Sequence, residues 1–142
     1  MITVAQSGKP YTLLSNTTTP TGNNNNRINS SPGVLVRDAS SVTAIRLADG
    51  VMKAQLTPAA GALGSIGRNT ERTESTFDVS LSLAKDFGIT ERVKLQLRGE
   101  LYNAFNLTNF NAVDNGLSSP NFGRYISAFG PRRAQVAVRL TF

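Results

Sequence analysis

The residues of this chain that could do acid–base chemistry are the carboxylates Asp78, Asp86, Glu91 and Glu100, because two carboxyl groups held close together can pass a proton to and from a substrate. They stand among Lys85, Arg92, Lys94 and Arg98, so solvation or ion pairing accounts for them. Histidine and cysteine are both absent, which removes the usual zinc sites, thiol nucleophiles and Ser-His-Asp arrangements. Gly61, Gly64 and Gly67 superficially match a phosphate-binding loop. They miss the G-x-G-x-x-G spacing, lack a following Lys-Ser/Thr and precede no helical pattern, so they read as a flexible turn. The Asn-x-Ser/Thr triplets at Asn16, Asn29 and Asn106 are too short a pattern to carry meaning in so Asn- and Thr-rich a chain. No catalytic, cofactor-binding or metal-ligating residue is assigned, no cofactor is expected, and the chain reads as non-enzymatic.

With 142 residues and 39% apolar content the chain is one domain long and could build a modest core. Its net charge of +6 is spread along the sequence, with Arg132-Arg133 the one adjacent basic pair, so nucleic-acid binding is not expected. No apolar run is long enough for a membrane-spanning helix. Residues 1–6 lack both the basic start and the long apolar run of an export signal, which leads to the expectation that the chain is a piece of something longer. The lack of cysteine suits a reducing cytosol and an outer-membrane barrel equally.

The elements that would position these side chains are strands. In residues 133–142, Ala134, Val136, Val138, Leu140 and Phe142 alternate with Arg133, Gln135, Ala137, Arg139 and Thr141, giving one greasy and one mostly polar face. About ten alternating residues ending on an aromatic is the length and pattern of a transmembrane β-strand. Phe77, Val79, Leu81 and Leu83 repeat the pattern against Asp78, Ser80, Ser82 and Ala84. Beyond a tight connection, Val93, Leu95, Leu97, Gly99 and Leu101 alternate with Lys94, Gln96, Arg98, Glu100 and Tyr102. The spacing predicts strands over about 1–14, 75–86, 92–110 and 132–142, separated by long loops at 15–74 and 111–131. The Asn-, Thr- and Ser-rich residues 15–31 supply little apolar surface to offset ordering entropy, and 34–60 show no sustained period.

Lys94, Gln96, Arg98, Glu100, Arg133, Gln135 and Arg139 share the polar faces of the last two strands. An Arg or Lys facing lipid at mid-depth costs roughly 2–4 kcal/mol, so that face must look at water, as the lumen side of a barrel. Arg98 and Glu100 lie two apart on one face and can join a charge ladder. The opposite faces need a covering, which lipid supplies in a barrel and a second sheet in a soluble sandwich. Phe77, Phe87, Tyr102, Phe105 and Phe142 fit either interfacial girdles or ordinary core aromatics.

Several blocks appear in a familiar order. They are residues 7–12 (Ser-Gly-Lys-Pro-Tyr-Thr), 64–69 (Gly-Ser-Ile-Gly-Arg-Asn), 77–87, 92–106 with Glu-Leu-Tyr-Asn-Ala-Phe-Asn at its end, Asn109-Phe110, 120–124 (Pro-Asn-Phe-Gly-Arg) and 131–135 (Pro-Arg-Arg-Ala-Gln). This resembles the C-terminal end of the barrel of TonB-dependent outer-membrane transporters, of the Oar-like type found in acidobacteria. The resemblance implies a bacterial outer-membrane barrel of about 22 strands, plugged by an N-terminal domain and energised through TonB. It implies as partners the membrane lipid, the remainder of the barrel and plug, and the barrel-assembly machinery, with TonB engaged only through an N-terminal part. By the same resemblance Val136, Val138, Leu140 and Phe142 would form the signal read by that machinery. The short connection after Asp86 would be a periplasmic turn, and 15–74 and 111–131 extracellular loops.

The expected fold is therefore all-β: antiparallel strands of a transmembrane β-barrel, about four of them, with long irregular loops. Two alternatives stay open, a small self-contained or multimeric porin-like barrel and a soluble β-sandwich binding module.

Overall fold

A computed structural model describes residues 1–38 and 42–142. In chain order its elements are β1 (Ile2–Gln6), β2 (Pro10–Tyr11), β3 (Leu35–Arg37), β4 (Ile45–Leu47), α1 (Lys53–Leu56), β5 (Glu71–Arg72), β6 (Thr76–Gly88), β7 (Lys94–Tyr102), β8 (Phe110–Val113), β9 (Tyr125–Ala128) and β10 (Arg133–Thr141). The chain is all-β apart from the single turn of α1, and every strand pair is antiparallel. It divides into two compact units. One comprises Met1–Ser7, Ser75–Asn109 and Phe129–Phe142, and the other Gly8–Glu74 and Phe110–Ala128.

The first unit is a four-stranded sheet in the order β1-β6-β7-β10. Strict alternation makes β6, β7 and β10 long, because a period of two presents one side-chain set to each face without a register break. The β6–β7 hairpin closes where the Ile89 and Thr90 N–H groups both donate to the Val93 carbonyl, at 2.9 and 3.2 Å. The Thr90 hydroxyl accepts from Val93 N–H at 3.1 Å. β1 and β10 are the sheet edges, so the four strands form an open sheet and not a closed barrel.

β7 stops at Tyr102, short of the 110 suggested by the apolar pattern, because Asn103 turns left-handed with φ of 50°. Asparagine tolerates that region better than most residues. Its side chain then holds the turn: Oδ1 accepts from Leu107 N–H at 2.9 Å, and Nδ2 donates to the Leu107 carbonyl at 3.0 Å and the Gly130 carbonyl at 3.4 Å. The first strand is likewise shorter than the 1–14 alternation. It ends at Gln6, and Pro10–Tyr11 pairs instead with Glu71–Arg72.

The second unit holds three two-stranded sheets, β2–β5, β3–β4 and β8–β9, in mostly irregular chain. Residues 39–41 of the expected 15–74 loop lie outside the described residues. Leu13, Ile28, Ile45, Leu56, Ile66 and Leu117 form its core, with Tyr11, Val34, Leu35 and Phe122 packed around them. Each such fully buried side chain contributes about 1.5–3 kcal/mol.

The Asn-rich stretch is ordered despite its composition, and Asn26 is the reason. Buried to 2% exposure, its Nδ2 donates to the Ala62 carbonyl at 2.9 Å and the Thr17 hydroxyl at 3.2 Å, while Oδ1 accepts from Gly64 N–H at 3.1 Å. A fully partnered amide can sit in a core where an unpartnered one could not. Phe110 and Tyr125 stack with ring centroids 4.2 Å apart. Tyr11 is different: its hydroxyl is buried with no hydrogen-bond partner among the described residues. Burial, reinforced by the Glu71 carboxylate, pushes its phenol above the ordinary range.

Candidate functional site

Residues directly opposite one another in an antiparallel pair share a face, so the register assigns every side chain of the sheet. On one face Gln96 lies between Asp86 and Arg139, Arg98 between Ala84 and Ala137, and Glu100 between Ser82 and Gln135. Lys94 lies between Gly88 and Thr141, and Tyr102 stands opposite Arg133. The seven polar residues singled out in the sequence, Lys94, Gln96, Arg98, Glu100, Arg133, Gln135 and Arg139, thus occupy one continuous surface. Asp78, Ser80 and Asp86 join them from β6.

This surface is internally bonded. Gln96 Nε2 donates to Asp86 Oδ1 at 2.8 Å. Glu100 takes both of its same-face neighbours on β7, pairing with Arg98 at 2.5 Å and accepting from the Tyr102 hydroxyl at 2.7 Å. Ser80 donates to Asp78 at 3.0 Å. Asp78, Asp86 and Glu100 are therefore spent on hydrogen bonds along the sheet, which gives this face a bonded network of charge. Two recesses open on it. One of about 350 Å³ includes Val4, Asp78, Ser80, Tyr102 and Arg133; another of about 360 Å³ at the hairpin end includes Asp86, Lys94, Gln96 and Arg139. Among the described residues, no three His, Cys, Asp or Glu side chains gather where they could hold a metal ion.

The other face carries Phe77, Val79, Leu81, Leu83 and Phe87 of β6, Leu95, Leu97 and Leu101 of β7, and Ala134, Val136, Val138 and Leu140 of β10. Apart from Lys85 it is apolar, and beyond the buried Val79 much of it is exposed. Leu83 is 78% exposed, Val136 79% and Val138 64%. A soluble sandwich would bury these side chains under a second sheet; water-exposed apolar patches of this extent are a membrane or partner surface. Phe77 and Phe87 stand about 33 Å apart along β6 at roughly 3.3 Å per residue. With strands tilted by about 40°, that is close to the ~25 Å height of a barrel's apolar band.

The register also places side chains to which the sequence pattern gives no face. Ile2 and Val4 lie opposite Ser80 and Asp78, on the polar face, while Thr3 and Ala5 share the apolar one. Lys85 sits on the apolar face opposite Leu97. Asn109, which the spacing places inside the strand 92–110, lies beyond the end of β7 and holds the end of β6 remote from the hairpin through its side chain. Extending the period of β6 to Phe87 would have found Lys85; nothing short of the three-dimensional turn reveals Asn109.

No helix among the described residues is long and apolar enough to cross a membrane, which leaves crossing by strands untouched. A family model described as an outer membrane beta barrel domain matches residues 1–135. No curated protein and no solved structure matches the chain.

Proposed function

The chain belongs to the outer membrane β-barrel domain family and resides in the bacterial outer membrane; on that premise we propose that β1, β6, β7 and β10 are the C-terminal strands of a TonB-dependent transporter barrel of the Oar-like type, contributing to substrate uptake. The observation that carries this reading is the four-stranded sheet itself. It has one exposed apolar face, one charged face and two unpaired edges. Open edges have no hydrogen-bond partners in lipid, so β1 and β10 require further strands.

The proposal is non-catalytic. The polar face lines the lumen, the remaining strands and a plug complete the barrel, and TonB acts through an N-terminal part. Val136, Val138, Leu140 and Phe142 present the alternation read by the barrel-assembly machinery. Support for the transporter over a simple pore comes from the sequence blocks that resemble those of Oar-like barrels.

A second reading has its own observation. With four strands, β1 and β10 run antiparallel to one another across the sheet, so copies joined β10 to β1 would keep strict alternation and could close a multimeric barrel. The nucleotide sequence upstream of the Met1 codon separates the two. An open frame continuing into further strands and a plug supports the transporter; an in-frame stop with its own promoter rejects it in favour of the multimeric barrel.

A further inference from the structure

We propose that Lys85 forms, at the hairpin end of the apolar face, a binding site for the phosphate of an anionic phospholipid headgroup. Lys85 is the one charged side chain that the register places on that face within the four strands. Its row across the sheet is Lys85, Leu97 and Val138, and the next row towards the hairpin is Phe87, Leu95 and Leu140. Every neighbour on its face is apolar. The adjacent carboxylate, Asp86, belongs to the opposite face and bonds Gln96.

The ammonium therefore has no anionic partner on its own surface among the described residues, and the surface itself is one that lipid covers. Its height makes the site workable. Lys85 is three residues from the end of β6 at Gly88, about 10 Å along the strand and about 7 Å in depth once the tilt is included. A lysine stem can lie along apolar surface while its head reaches the headgroup layer from such a depth. Phe87 lies between Lys85 and the hairpin end of the same face, where an aromatic marks the interface. A cation there meets phosphate first, and a compact ammonium binds phosphate as a point charge. The inference rests on the outer-membrane placement and not on the transporter reading.

The test uses the assembled protein in nanodiscs of phosphatidylglycerol or of phosphatidylcholine, comparing melting temperatures with Lys85→Gln, Lys85→Met and Lys85→Arg variants. The native protein and Lys85→Arg are expected to melt higher in phosphatidylglycerol, and Lys85→Gln and Lys85→Met to lose much of that difference. An undiminished difference in both neutral variants overturns the proposal. If inorganic phosphate added to phosphatidylcholine discs reproduces the native stabilisation, the assignment to a lipid headgroup is overturned.

Discussion

The side-chain amide of Asn109 straddles the backbone of Phe77: its Nδ2 donates to the Phe77 carbonyl at 2.8 Å and its Oδ1 accepts from the Phe77 N–H at 2.9 Å. One asparagine thus stands in for the missing strand partner at the end of β6 remote from the hairpin. Asn106 works in the same way nearby, its Oδ1 accepting from Arg132 N–H at 3.1 Å. With Asn103 these side chains tie β6, the turn after β7 and the approach to β10 into one unit.

Replacing Asn109 with Ala leaves the Phe77 N–H and carbonyl without partners, at a cost of roughly 1–3 kcal/mol. Asn109→Asp keeps the acceptor and loses the donor, so it too is destabilising at neutral pH. The temperature at which the assembled protein loses its folded electrophoretic mobility should fall for both.

Gly64 has no room for a side chain. A Cβ there would lie 1.9 Å from the Arg27 carbonyl oxygen and 2.6 Å from that of Ile28. Because the obstruction is backbone, Gly64→Ala must separate residues 26–28 from 64–66, breaking the Asn26 and Ile66 hydrogen bonds. A destabilisation of about 2 kcal/mol or more is expected. Limited proteolysis should then cut within Gly8–Glu74 at protease levels the native protein resists.

Tyr11→Phe removes a buried hydroxyl that has no partner among the described residues, and should be neutral or stabilising by up to about 1 kcal/mol. Because burial raises the Tyr11 phenol in the folded chain, the unfolded chain releases that proton first. Its contribution is fully present below about pH 10 and is lost as pH rises beyond that. Hydrogen exchange of the core amides at Leu13 and Ile28 should show less alkaline loosening in the variant.

The two faces of β6 make opposite demands on charge. Leu83→Arg places a cation on the exposed apolar face near mid-strand and should cost roughly 2–4 kcal/mol, whereas Ser82→Arg on the polar face should be tolerated. Yields of assembled protein in the outer-membrane fraction compare the pair directly. Equal loss for both would contradict the face assignment.

The strands β6, β7 and β10 were legible because a period of two survives in their sequences without interruption. Ile2 and Val4 were not placed by the sequence, since two apolar residues in a short strand do not say which face is dry; only their pairing with Ser80 and Asp78 does. The packing of 8–74 was not legible for a different reason. Composition registers four consecutive asparagines as solvent-loving, but one of them, Asn26, finds partners at Thr17, Ala62 and Gly64 that lie far apart in sequence. The glycine-rich stretch read as a flexible turn because close backbone approach leaves no signature beyond glycine itself. Gly123 shows the same economy, with φ of 78° and a would-be Cβ 1.8 Å from the Ile45 carbonyl oxygen. Of the polar wall, the residues were legible and the Glu100 hub with Arg98 and Tyr102 was partly so, through the two-residue spacing.

The central claim is that the sheet separates lipid from water, and the absence of native cysteine in this chain allows it to be probed with single spin labels. Labels at Leu97, Arg98, Val138 and Arg139 in the membrane-assembled protein would be compared for collisions with oxygen, which enters lipid, and with a water-soluble nickel chelate. Oxygen should dominate at 97 and 138 and the chelate at 98 and 139. Chelate-dominated collisions at 97 and 138, or no alternation between neighbours, would contradict the account.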